Sequence, residues 1–178
     1  MTTASPDSFR LDGKIAAITG AGSGIGAAMA RLFAQRGASI AVLELDAPAG
    51  EKMAAELREG GAEAEFMTCD VTADASVVTA FERTIERFSK LDILVNNAGI
   101  GHVGNLADTE ESDFDRLFQV NVKGVFLCSK RAMPHLIASQ GVICNMASIA
   151  SLIGIADRFA YSMTKGAVLT MTKSTAID

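Results

Sequence analysis

The sequence predicts an α/β fold built on a doubly wound parallel sheet, and three observations support this prediction. Apolar, strand-like runs alternate with helix-like stretches along the 178 residues. The strand-like runs are almost continuously apolar, which is typical of strands whose two faces are both covered by helices. Repeated β-α-β units with right-handed crossovers place such strands side by side and parallel.

The strands and helices can be placed in chain order from this pattern. The predicted strands are KIAAIT, SIAVLEL, AEFMTC, LDILVNN and GVICNMA. Helices are predicted between them over AAMARLFAQRG, GEKMAAELREGG, ASVVTAFERTIERFS and a longer stretch from about Ser112 to Ile137, and a last helix begins near Asp157. Residues 1–10 form a polar tail, and residues 11–178 form one domain that is large enough to bury a core.

Residues that begin or end helices lie at several of these boundaries. Gly37 and Gly60-Gly61 lie where helices should stop, and glycine is favoured there because it adopts left-handed backbone conformations freely. Asp74 and Ser112 are predicted N-caps, because a short polar side chain can accept a hydrogen bond from a free backbone N–H.

Composition and charge exclude several classes of function. The net charge of -5 provides no basic surface for nucleic acid. No run of 18 apolar residues predicts a membrane span, and the polar start of the chain is unlike a signal peptide. Cys69, Cys128 and Cys144 have neither metal-binding nor CxxC spacing, so we expect buried, reduced thiols in a cytoplasmic protein and no metal site.

The stretch ITGAGSGIG follows the first predicted strand and opens the first predicted helix. Glycines at such a turn let the chain reverse sharply, let a phosphate approach the backbone and let the helix pack on the strand. The helix N-terminus adds free N–H groups and a partial positive charge for a pyrophosphate. We therefore predict a Rossmann-like dinucleotide site, with Gly20, Gly24 and Gly26 at its turn and with Ser23 and Ile25 of the same loop as further cofactor-binding residues.

An acidic residue at the end of the second strand indicates which dinucleotide is bound. Glu44 lies 18 residues beyond Gly26, close to the spacing at which a carboxylate reaches the adenosine ribose. Such a carboxylate accepts hydrogen bonds from ribose hydroxyls and repels a 2′-phosphate. Asp46 is a competing candidate, because strand ends are uncertain by a few positions. With no Lys or Arg in the glycine loop, NAD is favoured over NADP.

Tyr161 and Lys165 lie four residues apart in the last predicted helix and therefore share one of its faces. An ammonium group beside a phenol favours the phenolate, which moves a phenol toward the range useful for acid–base catalysis. Ser148 follows the fifth strand, and ligands of open α/β sheets bind beyond the carboxyl ends of strands. These three residues are therefore predicted to meet at one catalytic site.

Taken together, these motifs resemble those of the short-chain dehydrogenase/reductase family, in order and spacing, from Leu11 to the end of the chain. The residues that carry the resemblance are Thr19-Gly20-x-x-x-Gly24-Ile25-Gly26, Asn96-Asn97-Ala98-Gly99, Asn121 in VNVKGVF, Ser148 in NMASIAS, and Tyr161-Ser162-Met163-Thr164-Lys165. One departure is Glu44, which stands where NAD-preferring relatives usually have Asp.

The resemblance implies a catalytic role for each of four residues. Tyr161 would be the general acid in ketone reduction and the general base in alcohol oxidation. Lys165 would hold the nicotinamide ribose and assist the phenol, and Ser148 would donate a hydrogen bond to the substrate oxygen. Asn121 would support a water that links Lys165 to solvent.

The resemblance also implies further cofactor contacts and an assembly. Asp70 and Val71 would contact the adenine, and Asn97 would let the cofactor lie against the fourth strand. Relatives form dimers or tetramers, so the full-length protein is expected to be a homo-oligomer, with a homotetramer as one such form. Relatives also continue with further strands and a substrate loop, so we expect the 178-residue chain alone to be poorly stable and nearly inactive.

The expected function is therefore that of an oxidoreductase that transfers a hydride between NAD(H) and a secondary alcohol or ketone. The alternative is a non-catalytic dinucleotide-binding fragment. The residues suited to proton transfer argue against it, because a protein that only binds the dinucleotide would not need them. A methyltransferase with a glycine-rich loop would leave the Tyr-x-x-x-Lys pair unexplained. The identity of the small-molecule substrate cannot be read, because Ala150, Ile155 and Phe159 indicate only an apolar wall. His102 is a candidate for the border of the substrate pocket.

Overall fold

Five parallel strands form the sheet of the computed structural model, which describes residues 9–177. Most of the predicted polar tail lies outside the described residues. The strands are β1 (Ile15–Thr19), β2 (Ser39–Glu44), β3 (Ala64–Thr68), β4 (Ile93–Asn96) and β5 (Val142–Asn145). Their order across the sheet is β3-β2-β1-β4-β5, so the direction of winding reverses between β1 and β4. The predicted fold class is confirmed, and the reversal is where such sheets bind ligands.

The connections between strands are helical. The helices are α1 (Gly24–Gln35), α2 (Ala47–Glu59), α3 (Asp74–Phe88), α4 (Glu111–Phe118), α5 (Gly124–Ser139) and α6 (Phe159–Thr175). A π-helical segment, Gln119–Lys123, joins α4 to α5, and a short 3-10 turn, Ile149–Ser151, follows β5. Each helix within residues 9–177 lacks the length or the apolar character needed to cross a bilayer.

Two hydrophobic clusters cover the central strands, one on each face of the sheet. On one face Leu94 of β4 belongs to a buried cluster with Phe81 of α3 and Cys128 of α5. On the other face Ile18 of β1 belongs to a buried cluster with Met53 of α2 and residues of α1. This two-sided burial is the reason that the central strands are continuously apolar, as predicted.

β5 departs from that prediction. It pairs only with β4 in the described sheet, and exposed and half-buried residues alternate along it. Val142 is 58% exposed, and Cys144 is exposed as well. The predictions that every strand has two covered faces and that every cysteine is buried are therefore wrong at this edge, where the side chains of Val142 and Cys144 stay exposed.

Several predicted helix boundaries also need correction. The long helix predicted over Ser112–Ile137 is divided by the π-helical segment and continues to Ser139. Its N-cap is Glu110 and not Ser112. Asp74 is the first residue of α3 and not its N-cap, and its carboxylate accepts hydrogen bonds from Arg131 instead.

The last helix begins at Phe159, two residues after Asp157, which agrees with the predicted start near Asp157. Asp157 has a φ of 55°, in the left-handed region, which a right-handed helix cannot include. The predicted glycine caps also agree with the structure. Gly37 and Gly61 follow α1 and α2 with φ values of 98° and 87°, and Gly60 is the C-cap residue of α2.

We expect Gly26→Ala to lower the free energy of unfolding by about 1–3 kcal/mol. A Cβ atom on Gly26 would lie 2.2 Å from the carbonyl oxygen of Gly20 and 2.5 Å from the Asn97 side-chain nitrogen. Gly166→Ala in α6 is the control, because a Cβ atom there meets nothing within 4 Å. It should stabilise the chain by about 0.5–1 kcal/mol. Urea denaturation of both variants measures this, and equal effects would contradict the close approach.

Candidate active site

A cleft of about 880 Å³ lies along the carboxyl ends of the strands, because residues that directly follow all five strands line it. It brings together most of the residues that the sequence analysis singled out. Those that line it are Gly20, Ser23, Gly24, Ile25, Glu44, Asp70, Val71, Asn97, Tyr161 and Lys165. Gly26, Asn121 and Ser148 lie outside the lining set.

Side-chain hydrogen bonds between Thr19 and Asn97 hold the floor of the cleft. The hydroxyl of Thr19 accepts hydrogen bonds from the backbone N–H groups of Asn97 and Ala98, each at 3.0 Å. The side-chain amide of Asn97 donates to the carbonyl oxygens of Thr19 and Gly20, at 2.9 and 3.1 Å. The ends of β1 and β4 are therefore joined beyond the last sheet hydrogen bond, and the glycine loop starts from a fixed point.

The glycine loop leads directly into the N-terminus of α1. Ser23 is the N-cap residue in extended conformation, and within the described chain its side chain makes no capping hydrogen bond. Gly24 has a φ of 53°, which favours glycine. Because Ser23 and Gly24 line the cleft, the first turn of α1 offers an anion its backbone N–H groups and a free hydroxyl.

The structure distinguishes between the two acidic candidates at the end of β2. Glu44 lines the cleft, and one of its carboxylate oxygens accepts a hydrogen bond from the backbone N–H of Gly22 at 2.9 Å. Asp46 lies outside the lining set and caps α2 by accepting a hydrogen bond from Ala49 at 3.1 Å. Glu44 is therefore the carboxylate that faces the cleft, while it also ties the glycine loop to β2.

Asp70 and Val71 follow β3 in a tight turn. One carboxylate oxygen of Asp70 accepts hydrogen bonds from the backbone N–H and the hydroxyl of Thr72, at 2.9 and 2.7 Å. Val71 packs against Gly124, where a Cβ atom would lie 2.8 Å from a Val71 methyl group. The glycine lets α5 press on this turn, so both predicted adenine contacts are held against the cleft.

The Lys165 ammonium group lies 5.9 Å from the centroid of the Tyr161 ring, so the two side chains share one face of α6 as predicted. Lys165 is 7% exposed and donates a hydrogen bond of 2.5 Å to the Met146 carbonyl oxygen. Burial lowers the pKa of Lys165, because the charged amine loses hydration. The structure therefore places a confined cation next to the only phenol of the chain.

Asn121 lies in the π-helical segment and is almost fully buried. Its side-chain oxygen accepts a hydrogen bond from the Ile100 N–H at 2.8 Å, and its side-chain nitrogen donates to the Ile100 carbonyl and the Thr164 hydroxyl. A Cβ atom on Gly99 would lie 3.3 Å from the Asn121 oxygen and 3.7 Å from the Lys165 nitrogen. Asn121 is thus a neighbour of Lys165 behind the cleft wall.

Ser148 is the N-cap of the 3-10 turn after β5. Its hydroxyl accepts a hydrogen bond from the Ala150 N–H at 3.2 Å, and its own N–H donates to the Ser151 hydroxyl at 3.3 Å. A hydroxyl that accepts one hydrogen bond keeps its own proton for donation. The capping box therefore fixes Ser148 beside Met146 and Ala147, which do line the cleft.

Arg158 is a cleft residue that the sequence analysis missed. Its guanidinium donates a hydrogen bond of 2.8 Å to the His102 carbonyl. His102 itself lies outside the lining set, and its ring faces Asp113 with a nitrogen–oxygen distance of 3.6 Å. The sequence offered one signal for Arg158, its place three residues before Tyr161.

The short chain dehydrogenase family matches residues 14–178, which is almost the whole chain. The chain belongs to this family. An uncharacterised oxidoreductase from Thermotoga maritima is 46% identical over 171 residues, covering 96% of this chain and 67% of that protein. Membership confirms the predicted family and the oxidoreductase class.

Solved structures of similar proteins agree with this fold. One is a 7 alpha-hydroxysteroid dehydrogenase complexed with NADH and 7-oxo glycochenodeoxycholic acid, with a TM-score of 0.93 and 34% identity, which covers 99% of this chain and 69% of that one. Another is an NAD+-bound xylitol dehydrogenase, with a TM-score of 0.91 and 37% identity, which covers 96% of this chain and 66% of that one. The chain thus spans about two thirds of the length of these relatives.

We expect the stability of the chain to depend on pH through Lys165. Its pKa is lowered in the folded state, so the unfolded state binds the proton more firmly. The resulting penalty is complete below the folded-state pKa and disappears as pH rises to the unfolded-state value. Relative to Lys165→Met, the wild type should therefore gain free energy of unfolding as pH rises toward about 10, the ordinary range of a lysine pKa.

Urea denaturation at several pH values in this window measures the difference. Lys173→Met is the matched control, because Lys173 is an exposed lysine of the same helix and should show no such trend. Parallel stability curves for the wild type and Lys165→Met would contradict the prediction.

Proposed function

We propose that this chain carries the cofactor-binding and catalytic part of an NAD-dependent oxidoreductase that interconverts a secondary alcohol and a ketone. The observation that carries the proposal is the 5.9 Å approach of the Lys165 ammonium to the Tyr161 ring, in the same cleft as the glycine loop and Glu44. The relatives that are described with NADH or NAD+ support the same cofactor class.

The residues present fit a nicotinamide dinucleotide. Ser23 and Gly24 at the N-terminus of α1 would bind the pyrophosphate, and the Glu44 carboxylate would bind the adenosine ribose. Asp70 and Val71 would contact the adenine, and Lys165 would bind the nicotinamide ribose. When bound, the nicotinamide ring supplies or accepts the hydride.

The side chains of α6 would handle the proton. During ketone reduction the Tyr161 hydroxyl donates its proton to the substrate oxygen, and during alcohol oxidation the phenolate accepts it. The Lys165 ammonium stabilises that phenolate from the neighbouring turn. The Ser148 hydroxyl, which keeps its proton available, donates a hydrogen bond to the same substrate oxygen.

Asn121 would support the return path of the proton. Its side-chain amide is already bonded to Ile100 and Thr164. A water that links Lys165 to solvent would therefore bind the remaining lone pair of the amide oxygen or a backbone carbonyl of the π-helical segment. Such segments interrupt the regular helix ladder and are frequent at functional sites.

We extend the proposal to the coenzyme and to the whole protein. NAD is preferred over NADP because Glu44 would repel a 2′-phosphate. A cytoplasmic location fits the three cysteines, which are all unpaired in the described chain. A homo-oligomer, either a dimer or a tetramer, fits the exposed apolar side chains of Phe126 and Ile137 on α5. The substrate is a small molecule that enters the same cleft.

Replacing Tyr161 with Phe should lower kcat by about 10²–10⁴-fold, because general acid–base catalysis is lost. NADH affinity should stay within about threefold of the wild type, because the ring and the cleft wall remain. NADH fluorescence titration and turnover of secondary alcohols by the full-length protein measure the two quantities. Ser162→Ala is the control, since the Ser162 hydroxyl is buried without a partner in the described chain. Unchanged turnover in Tyr161→Phe would instead favour a non-catalytic dinucleotide binder.

Replacing Glu44 with Gln should narrow the preference for NAD over NADP by about tenfold, because the charge that repels the 2′-phosphate is removed. The ratio of kcat/KM values for the two coenzymes measures it. Asp46→Asn is the matched control, because Asp46 caps α2 and does not line the cleft. An equal change of the ratio in both variants would contradict the assignment of Glu44.

A further inference from the structure

Arg158 brings a positive charge to the part of the cleft that holds Tyr161. It is the N-cap residue of α6, three positions before Tyr161, and both residues line the cleft. Ile100 and Ala147, with apolar side chains, line the same cleft. Arg158 is therefore a charged residue next to apolar ones. A wholly apolar substrate would not require its positive charge.

The backbone on both sides of Arg158 is tied to the segment that follows β4. The N–H of Gly104 donates to the Asp157 carbonyl at 2.9 Å, and the N–H of Phe159 donates to the Gly104 carbonyl at 3.2 Å. The guanidinium itself donates to the His102 carbonyl at 2.8 Å. Arg158 is thus held in place before any ligand binds, which reduces the entropy lost on binding.

The charge of Arg158 is not neutralised within residues 9–177. The Asp113 carboxylate, which faces the ring of His102, is paired with Arg116. No described carboxylate oxygen lies within 4.0 Å of the Arg158 guanidinium, although the chain carries 21 acidic residues. A guanidinium has five N–H donors, and the His102 carbonyl accepts from one of its nitrogens.

We propose that Arg158 binds an anionic group of the substrate, and that the substrate is therefore a hydroxy acid or keto acid. This inference rests on the proposed function and narrows its substrate class. A guanidinium matches the geometry of a carboxylate and binds it with charge-assisted hydrogen bonds. Arg158 would hold the acid end while Tyr161 and Ser148 act on the carbinol or carbonyl end.

Two other roles of Arg158 predict different behaviour. If Arg158 only ties α6 to the segment after β4, its loss lowers stability and affects charged and neutral substrates alike. If it binds a cofactor phosphate, its loss raises the KM for NADH and leaves the preference among substrates unchanged. The discriminating quantity is therefore the ratio of kcat/KM for an acid to that for its neutral amide.

The test uses full-length protein, NADH and two matched pairs of ketones, acetoacetate with acetoacetamide and levulinate with levulinamide. In the wild type at least one acid should exceed its amide in kcat/KM by about tenfold or more, as expected for a charge-assisted hydrogen bond. Arg158→Gln should bring that ratio close to one. Arg158→Lys should keep part of the preference. Arg31→Gln should keep all of it, because Arg31 is an exposed arginine of α1 that pairs with Glu56 of α2.

Each result decides the question. Equal kcat/KM values for acids and amides in the wild type would overturn the inference, as would a ratio that Arg158→Gln leaves unchanged. If no ketone is reduced, calorimetric titration of the NADH complex with levulinate and levulinamide replaces turnover. A preference for levulinate that Arg158→Gln abolishes then supports the inference while the proposed function fails, and the absence of such a preference overturns the inference. Thermal melting of each variant confirms that it is folded.

Discussion

The hydrogen bonds between Thr19 and Asn97 are the constraint on which the cleft depends. They lie at the reversal of the sheet, where β1 and β4 end and their chains must diverge. The backbone hydrogen bonds of the sheet stop there, and hydrogen bonds of the Thr19 and Asn97 side chains hold the strand ends together. Because Asn97 also bonds the carbonyl of Gly20, the start of the glycine loop is set by the same contact. The start of the loop is therefore held by this junction, while Glu44 holds Gly22 further along it.

The part of the cleft around Lys165 carries a cost in stability that the rest of the core avoids. Lys165 is buried with a carbonyl as its hydrogen-bond acceptor and without a carboxylate partner in the described chain, and Asn121 is buried in an irregular helical segment. Both features depart from the apolar packing around Leu94 and Ile18 on the two faces of the sheet. Buried polar groups and irregular backbone segments of this kind are frequent at functional sites.

Much of this could be predicted from the sequence, because the relevant signals are local. Continuous apolar runs identify the strands, and Tyr161 and Lys165 four residues apart must share a helix face. What could not be predicted depends on contacts between distant segments. The choice between Glu44 and Asp46 is decided by which of them caps α2, and the place of Arg158 in the cleft depends on its contact with His102, 56 residues away in the chain. The π-helical segment and the exposed face of β5 likewise follow from packing that a local pattern does not record.

The free edge of β5 restricts which strand can pair with it. Its backbone donors and acceptors have no strand neighbour there in the described sheet, so they form a template for a further strand, from this protein or from another molecule. Because side chains alternate between faces, a strand that joins in register must place apolar groups beside Val142 and Cys144. A shift by one residue would bring its polar side chains there instead, so the partner strand is selected by its phase as well as by its composition.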